Sequence, residues 1–249
     1  MKKKIVRLSP ARGVSLEDAE RHYRDVHFRF ASTTFRHSID AVIAYHSNHA
    51  VGQFDLMGGF SERPDAWRFV FTQWDDSHDD GHAVGWLPER IRGLFFVDRE
   101  NCIDETSSCE VEEHVVIDRL RGHTSLVKYL FRYAPDQVGP QPEFERYYEH
   151  EHAPALGAAA TSCPGLRKLV SNQVLQEAAV SVRDDGHTEY SGGYMDTVSS
   201  YRFEELWFDN DDVAAEFFHD PCVLGLLRDS PFGKVRGYRV EEVCGVDRR

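Results

Sequence analysis

Two segments of the chain place a tyrosine four residues ahead of a histidine: Tyr23 with His27, and Tyr148 with His152. Both lie in runs with helical patterning, so each phenol and imidazole fall one turn apart on one face. An imidazole takes and gives protons near neutral pH, and a phenol beside it can orient a substrate oxygen or polarise a carbonyl. The same pair also serves structure, with the histidine closing a hydrogen-bond network and the tyrosine filling core. Recurrence suits both readings. A third acid/base candidate is Glu205, which strand alternation puts on one face with Phe203 and Trp207. A carboxylate between two aromatics is expected to be desolvated and raised in pKa. The alternatives are that this face is solvated or that Glu205 pairs with a cation such as Arg202 or Lys128.

Four further residues suit substrate binding. Asn48 and Asn172 can offer an amide to a substrate oxygen, or cap a turn at a strand end. Trp74 and Trp207 can stack on an aromatic substrate, or fill core. His78 and His82, four apart beside Asp75, Asp76, Asp79 and Asp80, have ligand chemistry, but such surface clusters match permissively and no metal is expected. His150 and His152 point in different directions on a helix and make a poor metal pair. The sequence holds no nucleophile elbow, Walker loop, dinucleotide fingerprint or c-type haem motif.

The elements that must position these residues repeat in order. Ser15 with Asp18 reads as a capping box opening the first helix. From histidine to asparagine the spacing is 21 in one half (48 minus 27) and 20 in the other (172 minus 152). An aromatic strand ending in Trp74 or Trp207 follows, then an Asp-rich break at Asp75-Asp76 or Asp209 to Asp212. Alternation predicts first-half strands near 3–9, 41–47, 67–74 and 109–117, with helices near 15–31 and 84–95. Second-half strands are expected near 125–133, 166–175, 201–208 and 237–246, with helices near 142–158 and 211–228. The order βαββαβ is that of the ferredoxin-like unit. The chain therefore reads as α+β, two tandem ferredoxin-like units over 1–121 and 122–249, their antiparallel sheets packed as an α+β barrel. Residues 49–64 and 176–200 read as long irregular insertions, either binding lids or surface hairpins. His219-Asp220-Pro221 reads as a helix stop.

Composition narrows the function. A formal net charge of -13 with no basic stretch argues against nucleic acid and anionic lipid. No apolar run approaches the ~20 residues of a membrane span. The basic cluster Lys2-Lys3-Lys4 is not followed by the apolar core of a signal peptide. The five cysteines are odd in number and scattered, which suits reduced thiols, mostly packed, and a cytoplasmic location.

Phe144, Tyr148, His152, Pro154 and Leu156, then Pro164-Gly165, Asn172 and Glu205-Leu206-Trp207, resemble the EthD-domain proteins of the dimeric α+β barrel superfamily. The first half keeps Tyr23, His27, Asn48 and Trp74 but lacks the proline after the histidine and the Pro-Gly before the second strand. The resemblance implies that two such sheets face each other in a barrel, here from one chain, with a homodimer left open. It also implies a superfamily of cofactor-free monooxygenases, isomerases, dehydratases and haem enzymes. The expected activity is a cofactor-independent lyase or isomerase that rearranges, dehydrates or cyclises a small aromatic or polyketide-like metabolite. His152, Tyr148, His27, Tyr23 and Glu205 would be catalytic. The alternatives are a cofactor-free or haem-dependent monooxygenase and a non-catalytic small-molecule binding protein.

Overall fold

The computed structural model describes residues 2–11, 13–55, 59–61, 69–75, 89–91, 94, 103–122, 125–135, 141–182, 188–194, 200–229 and 233–249. The alternation in β1 (Lys2–Pro10) shows how the molecule is organised. Ile5 joins one apolar cluster, whereas its neighbours Val6 and Leu8 join another. Successive strand residues face opposite sides of the sheet, so one strand serves two cores.

The first half continues with α1 (Leu16–His22), a π-helical turn (Tyr23–His27) and α2 (Phe28–Ser38). Its strands are β2 (Val42–Asp55), β3 (Gly59–Ser61), β4 (Phe69–Asp75) and β5 (Ile103–Asp118). The second half runs β6 (Val127–Pro135), α3 (Gln141–Tyr147), a π-helical turn (Tyr148–His152), α4 (Ala153–Ser162) and β7 (Leu166–Val182). It ends with β8 (Thr188–Tyr194), β9 (Arg202–Phe208), α5 (Asp211–His219), α6 (Pro221–Arg228) and β10 (Gly233–Asp247).

Eight strands form a closed antiparallel ring in the order β10-β6-β9-β7-β5-β1-β4-β2, with β2 returning to β10. Closure removes sheet edges from the ring. Numbering each half from its own start gives one strand order twice, 4-1-3-2, as β5-β1-β4-β2 and β10-β6-β9-β7. The halves meet at β5–β7 and β2–β10. Helices cover the outer faces. Tyr23, Phe28, Ala31 and Phe35 pack on Val6 and Leu8, while Tyr148, Leu156, Phe217 and Phe218 pack on Tyr129, Leu206 and Phe208. Each large apolar side chain so buried contributes about 1.5–3 kcal/mol. Ile5, Val111, Leu130, Val174, Phe203 and Val240, drawn from both halves, fill the lumen.

Local chemistry explains the joins. Ser15 Oγ accepts from the Asp18 amide at 3.1 Å, as the capping box predicts. The Asp-rich break after Trp207 opens α5, with Asn210 Oδ1 accepting from the Val213 amide. Asp220 Oδ1 accepts from the Cys222 amide, so the helix expected at 211–228 is broken as Asp220-Pro221 foretold. Between the halves Gly122 adopts φ +80°, a left-handed conformation that suits glycine.

Several expectations change. The helical runs reach Ser38 and Ser162, past the predicted ends. The insertions are partly ordered: β2 runs to Asp55 and pairs with β3, and β7 runs to Val182 and pairs with β8. Extended backbone there gains ladder hydrogen bonds that polar, glycine-rich composition did not advertise. Cys222 and Cys244 are exposed, Cys163 is half-buried and only Cys109 of the described cysteines is buried, all four as free thiols. The helix predicted at 84–95 falls largely outside the described residues, as do His78 and His82. Among the described residues no helix is long and apolar enough to cross a membrane.

Candidate functional site

Strand register builds the site at one end of the lumen. Lys3 on β1 lies opposite Trp74 on β4, and Lys128 on β6 lies opposite Trp207 on β9. Each ammonium therefore sits over its tryptophan ring, at 4.8 Å and 4.4 Å. Glu205 lies between the two lysines. Lys3 Nζ approaches its Oε1 at 2.6 Å, Lys128 Nζ its Oε2 at 2.6 Å, and Asn172 Nδ2 donates to Oε1 at 3.0 Å. Lys3 also donates to Glu113 at 2.5 Å, and Lys128 to Glu242 at 2.6 Å and Asn48 Oδ1 at 2.8 Å. Trp207 Nε1 donates to Glu242 Oε2 at 3.2 Å.

A cavity of about 130 Å³ opens here, with Lys3, His46, Trp74, Glu205, Trp207 and Arg249 among its walls. An apolar cavity of about 150 Å³ holds benzene, so the space suits a single ring. His46 stands edge-on to Trp74, ring centroids 5.1 Å apart. Its Nδ1 lies 3.3 Å from Glu242 Oε1, and its Nε2 lies 3.4 Å from Arg249 Nη2. Arginine can only donate, so Nε2 is the accepting nitrogen and Nδ1 carries the hydrogen toward Glu242.

The electrostatics correct one expectation. Burial alone would raise the Glu205 carboxyl, but Lys128 and Lys3 outweigh it and hold the group down at about 2. Glu205 is thus a fixed anion rather than a raised-pKa proton carrier. Its partner is Lys128, not Arg202, whose side chain leaves the opposite face of the sheet. Glu242 is likewise held below the usual range, its burial overcome by Lys128 and His46. Lys128 is raised, the desolvation that would lower it being outweighed by Glu205 and Glu242.

The two Tyr–His pairs occupy a different place. In each π turn the amide after the histidine bonds to the tyrosine carbonyl five residues back, Phe28 to Tyr23 and Ala153 to Tyr148. Phenol and imidazole stack in both, at 5.3 Å and 5.0 Å. Such π segments are often found at functional sites. Each tyrosine hydroxyl meets a serine on the second strand of its half: Tyr23 with Ser47 at 2.8 Å, Tyr148 with Ser171 at 2.9 Å. Those serines precede Asn48 and Asn172, so pair and cleft lie back to back across the sheet.

Behind the second half lies a charged network. Glu204 accepts from Tyr148 at 2.5 Å and from Tyr133 at 2.6 Å, and Tyr133 Oη lies 3.0 Å from His152 Nε2. The Arg202 guanidinium lies 3.8 Å above the Tyr148 ring and pairs with Glu145. Burial and then Glu204 push both tyrosines well up. Burial raises Glu204 too, but His152 and the two phenols bring it below its ordinary value. His152, Glu204, Tyr133 and Tyr148 are all at most 4% exposed. His150 is exposed while His152 is buried, as their spacing requires.

The structure thus brings Glu205, Asn48, Asn172, Trp74 and Trp207 together and places Tyr23, His27, Tyr148 and His152 elsewhere. Lys3, Glu113, Glu242 and His46 complete the cleft with Lys128; of these only Lys128, as an ion-pair partner of Glu205, was read in the sequence as part of a site. A signal existed for the lysines: each stands 24 residues before its histidine (27 minus 3, 152 minus 128).

No protein-family model matches the sequence, and no curated protein matches it. Solved structures do. A candidate monooxygenase from Lactobacillus acidophilus is 12% identical, with a TM-score of 0.50 over 99% of this chain and 96% of that one. A candidate monooxygenase from Fusobacterium nucleatum is 7% identical, with a TM-score of 0.56 over 97% and 91%. An anthrone oxidase-like protein is 11% identical, with a TM-score of 0.51 over 100% and 95%. At such identities the likeness is one of fold: an eight-stranded antiparallel barrel with helices on its outer face.

Proposed function

We propose that the chain is a cofactor-independent monooxygenase acting on a small, single-ring phenol in the barrel-end cleft, and that its halves derive from one EthD-like unit by duplication. The observation that carries the reading is a broken symmetry. Both halves send a lysine, a tryptophan, an asparagine and a glutamate to the cleft. His46, however, corresponds to Val170, and Glu205 to Thr72: the register pairs His46 with Thr72 and Val170 with Glu205. There is one base and one central carboxylate, hence one active centre built from both halves.

Once the substrate displaces Arg249 from His46 Nε2, that nitrogen takes a proton from an acidic C–H or O–H of the substrate, and Glu242 steadies the imidazolium at Nδ1. Lys3, with the indole walls, favours the resulting planar anion, and Glu205 keeps both lysines in place. The anion then reacts with dioxygen. At the ring carbon para to the phenolate oxygen, one oxygen atom becomes the second carbonyl of a quinone and the other leaves as water with the ring hydrogen and the phenolic proton. Four electrons leave the ring and four reduce the dioxygen, so no external reductant enters. The names carried by the structural neighbours favour this reading over the lyase or isomerase expected from sequence, which begins with the same proton transfer. A haem would need an axial histidine facing a porphyrin-sized space. His46 faces about 130 Å³, and His27 and His152 are buried residues of the two π turns. The described residues do not fit that group, and no step passes through it.

The test is oxygen uptake by the purified full chain with a panel of single-ring phenols, wild type against His46→Gln. The wild type should consume one dioxygen per substrate, and the variant should lose about 10²-fold or more in rate. Product formation that continues without air would instead establish the isomerase or lyase. Tight binding without turnover in either protein would leave a binding protein.

A further inference from the structure

Where β10 closes the ring against β2, Cys244 pairs with His46 and Asp247 with Ala44. Cys244 and Asp247 are three apart, so simple alternation would put them on opposite faces. The register shift at Gly245 is a bulge that returns Asp247 to the face of Cys244 and His46. A Cβ at Gly245 would collide with Ser32 Oγ and the Tyr45 ring, so only glycine fits there. An imidazole nitrogen of His46, the Cys244 sulfur and an Asp247 carboxylate oxygen thereby lie within 4.8 Å of one another. The oxygenation proposed above uses neither Cys244 nor Asp247.

We infer that His46 Nε2, Cys244 Sγ and an Asp247 oxygen form a zinc site at the edge of the cleft, and that zinc bound there blocks the active centre. Nitrogen, sulfur and oxygen are the donors that suit zinc, with a fourth position left for water. Ligand atoms around tetrahedral zinc stand about 3.4–3.6 Å apart, and His46 Nε2 already lies 3.8 Å from Asp247 Oδ2. Two further observations point to a cation. His46 Nδ1 donates to Glu242 and leaves Nε2 to accept, and a zinc-bound histidine characteristically gives its other N–H to a carboxylate. A cation of the protein's own also holds the place: Arg249 Nη2 lies 3.4 Å from His46 Nε2 and 3.1 Å from Asp247 Oδ2. Zinc displaces that guanidinium and Cys244 releases its proton to water, so thiolate and carboxylate match the ion's two charges. Cys244 and Asp247 are exposed, which lets the ion enter from solvent. The blocking effect rests on His46 being the base, whereas the binding of zinc does not.

The probe is cobalt(II), which takes zinc's place in such ligand sets and shows a sulfur-to-metal charge-transfer band when a thiolate binds it. Titrated without oxygen into the reduced full chain, it should give that band in the wild type, and added zinc should abolish it by displacement. Cys244→Ala should lose the band. His46→Val should keep it but bind cobalt at least about tenfold more weakly. No band in the wild type, a band that survives in Cys244→Ala, or an unchanged affinity in His46→Val overturns the inference. Oxygen uptake then tests the blocking effect: zinc should stop the wild type, and Cys244→Ala should need at least about tenfold more zinc for the same loss. Equal sensitivity also overturns the inference. The cobalt titration needs no turnover, so a wild type that binds cobalt but consumes no oxygen refutes the oxygenase and leaves the zinc site standing. Oxygen uptake without a cobalt band refutes the zinc site and leaves the oxygenase.

Discussion

The outer layers of the two halves are built on one plan and filled with different chemistry. Each has a Tyr–His stack in a π turn and a tyrosine–serine hydrogen bond. In the second half the strand positions beneath carry Tyr133, Arg202 and Glu204. Register places Leu8, Phe69 and Phe71 at the corresponding positions of the first half, with Ser47 opposite Phe71 as Ser171 is opposite Glu204. What recurs is therefore the frame, and recurrence alone cannot identify a catalyst. At the barrel end the lesson inverts. There the recurring lysines, tryptophans and asparagines form the frame, and the unmatched residues His46 and Glu205 make the site singular.

The largest effect should come from making the barrel end more symmetric. Glu205→Thr installs the residue that stands at position 72 and leaves Lys3 and Lys128 without their shared anion. Removing one partner of a buried ion pair typically costs about 3–5 kcal/mol, so urea unfolding should show a loss of that order. A loss near zero would mean that the lysines find other partners and that Glu205 is not central. Next, His46→Val, matching Val170, should lower oxygenation by about 10²-fold while the unfolding midpoint changes little. Retained activity would remove His46 as base.

Smaller effects should separate the outer layers. Tyr148→Phe removes a hydrogen bond to a buried carboxylate, worth about 1.5–3 kcal/mol, whereas Tyr23→Phe removes a neutral one, worth about 0.5–1.5 kcal/mol. Equal losses in denaturant titrations would erase the distinction. The layers should also differ in acid. Burial and then Arg24 lower His49 to about 4, so the unfolded chain takes up its proton first and stability declines as pH falls from about 6.5 toward 4. Glu205, held at about 2, contributes stability above its unfolded pKa that is lost only as pH falls from about 4.5 toward 2. His49→Gln should flatten the upper limb of the stability–pH curve and leave the lower one, whereas Glu205→Thr should do the reverse.

Much of this was legible in the chain. Alternation placed all eight barrel strands, the capping box at Ser15 and the stop at Asp220-Pro221 marked helix ends, and the spacing of Tyr23 and Tyr148 from their histidines put each pair on one helical face. The period-2 rule put Phe203, Glu205 and Trp207 on one face, where they are found. The ion pair of Glu205 with Lys128 was among the readings, but the second cation, Lys3, was not, because it lies 202 residues away in sequence. His46 was passed over for a similar reason. Nothing within its own strand distinguishes it until β10 brings Glu242 alongside.

By itself the sequence determined which residues form strands and helices and which side chains share a face, because these follow from short-range backbone sterics and the periods of the two structures. Only the tertiary structure decided which face became lumen and which lay under helices. That choice is made when β5 meets β7 and β2 meets β10, and the closed ring then holds charges from distant strands within hydrogen-bond reach of one another. The tyrosines and histidines conspicuous in the sequence went to the outer face. The lysines, far less conspicuous, went inside, where burial makes every unmatched charge and donor count.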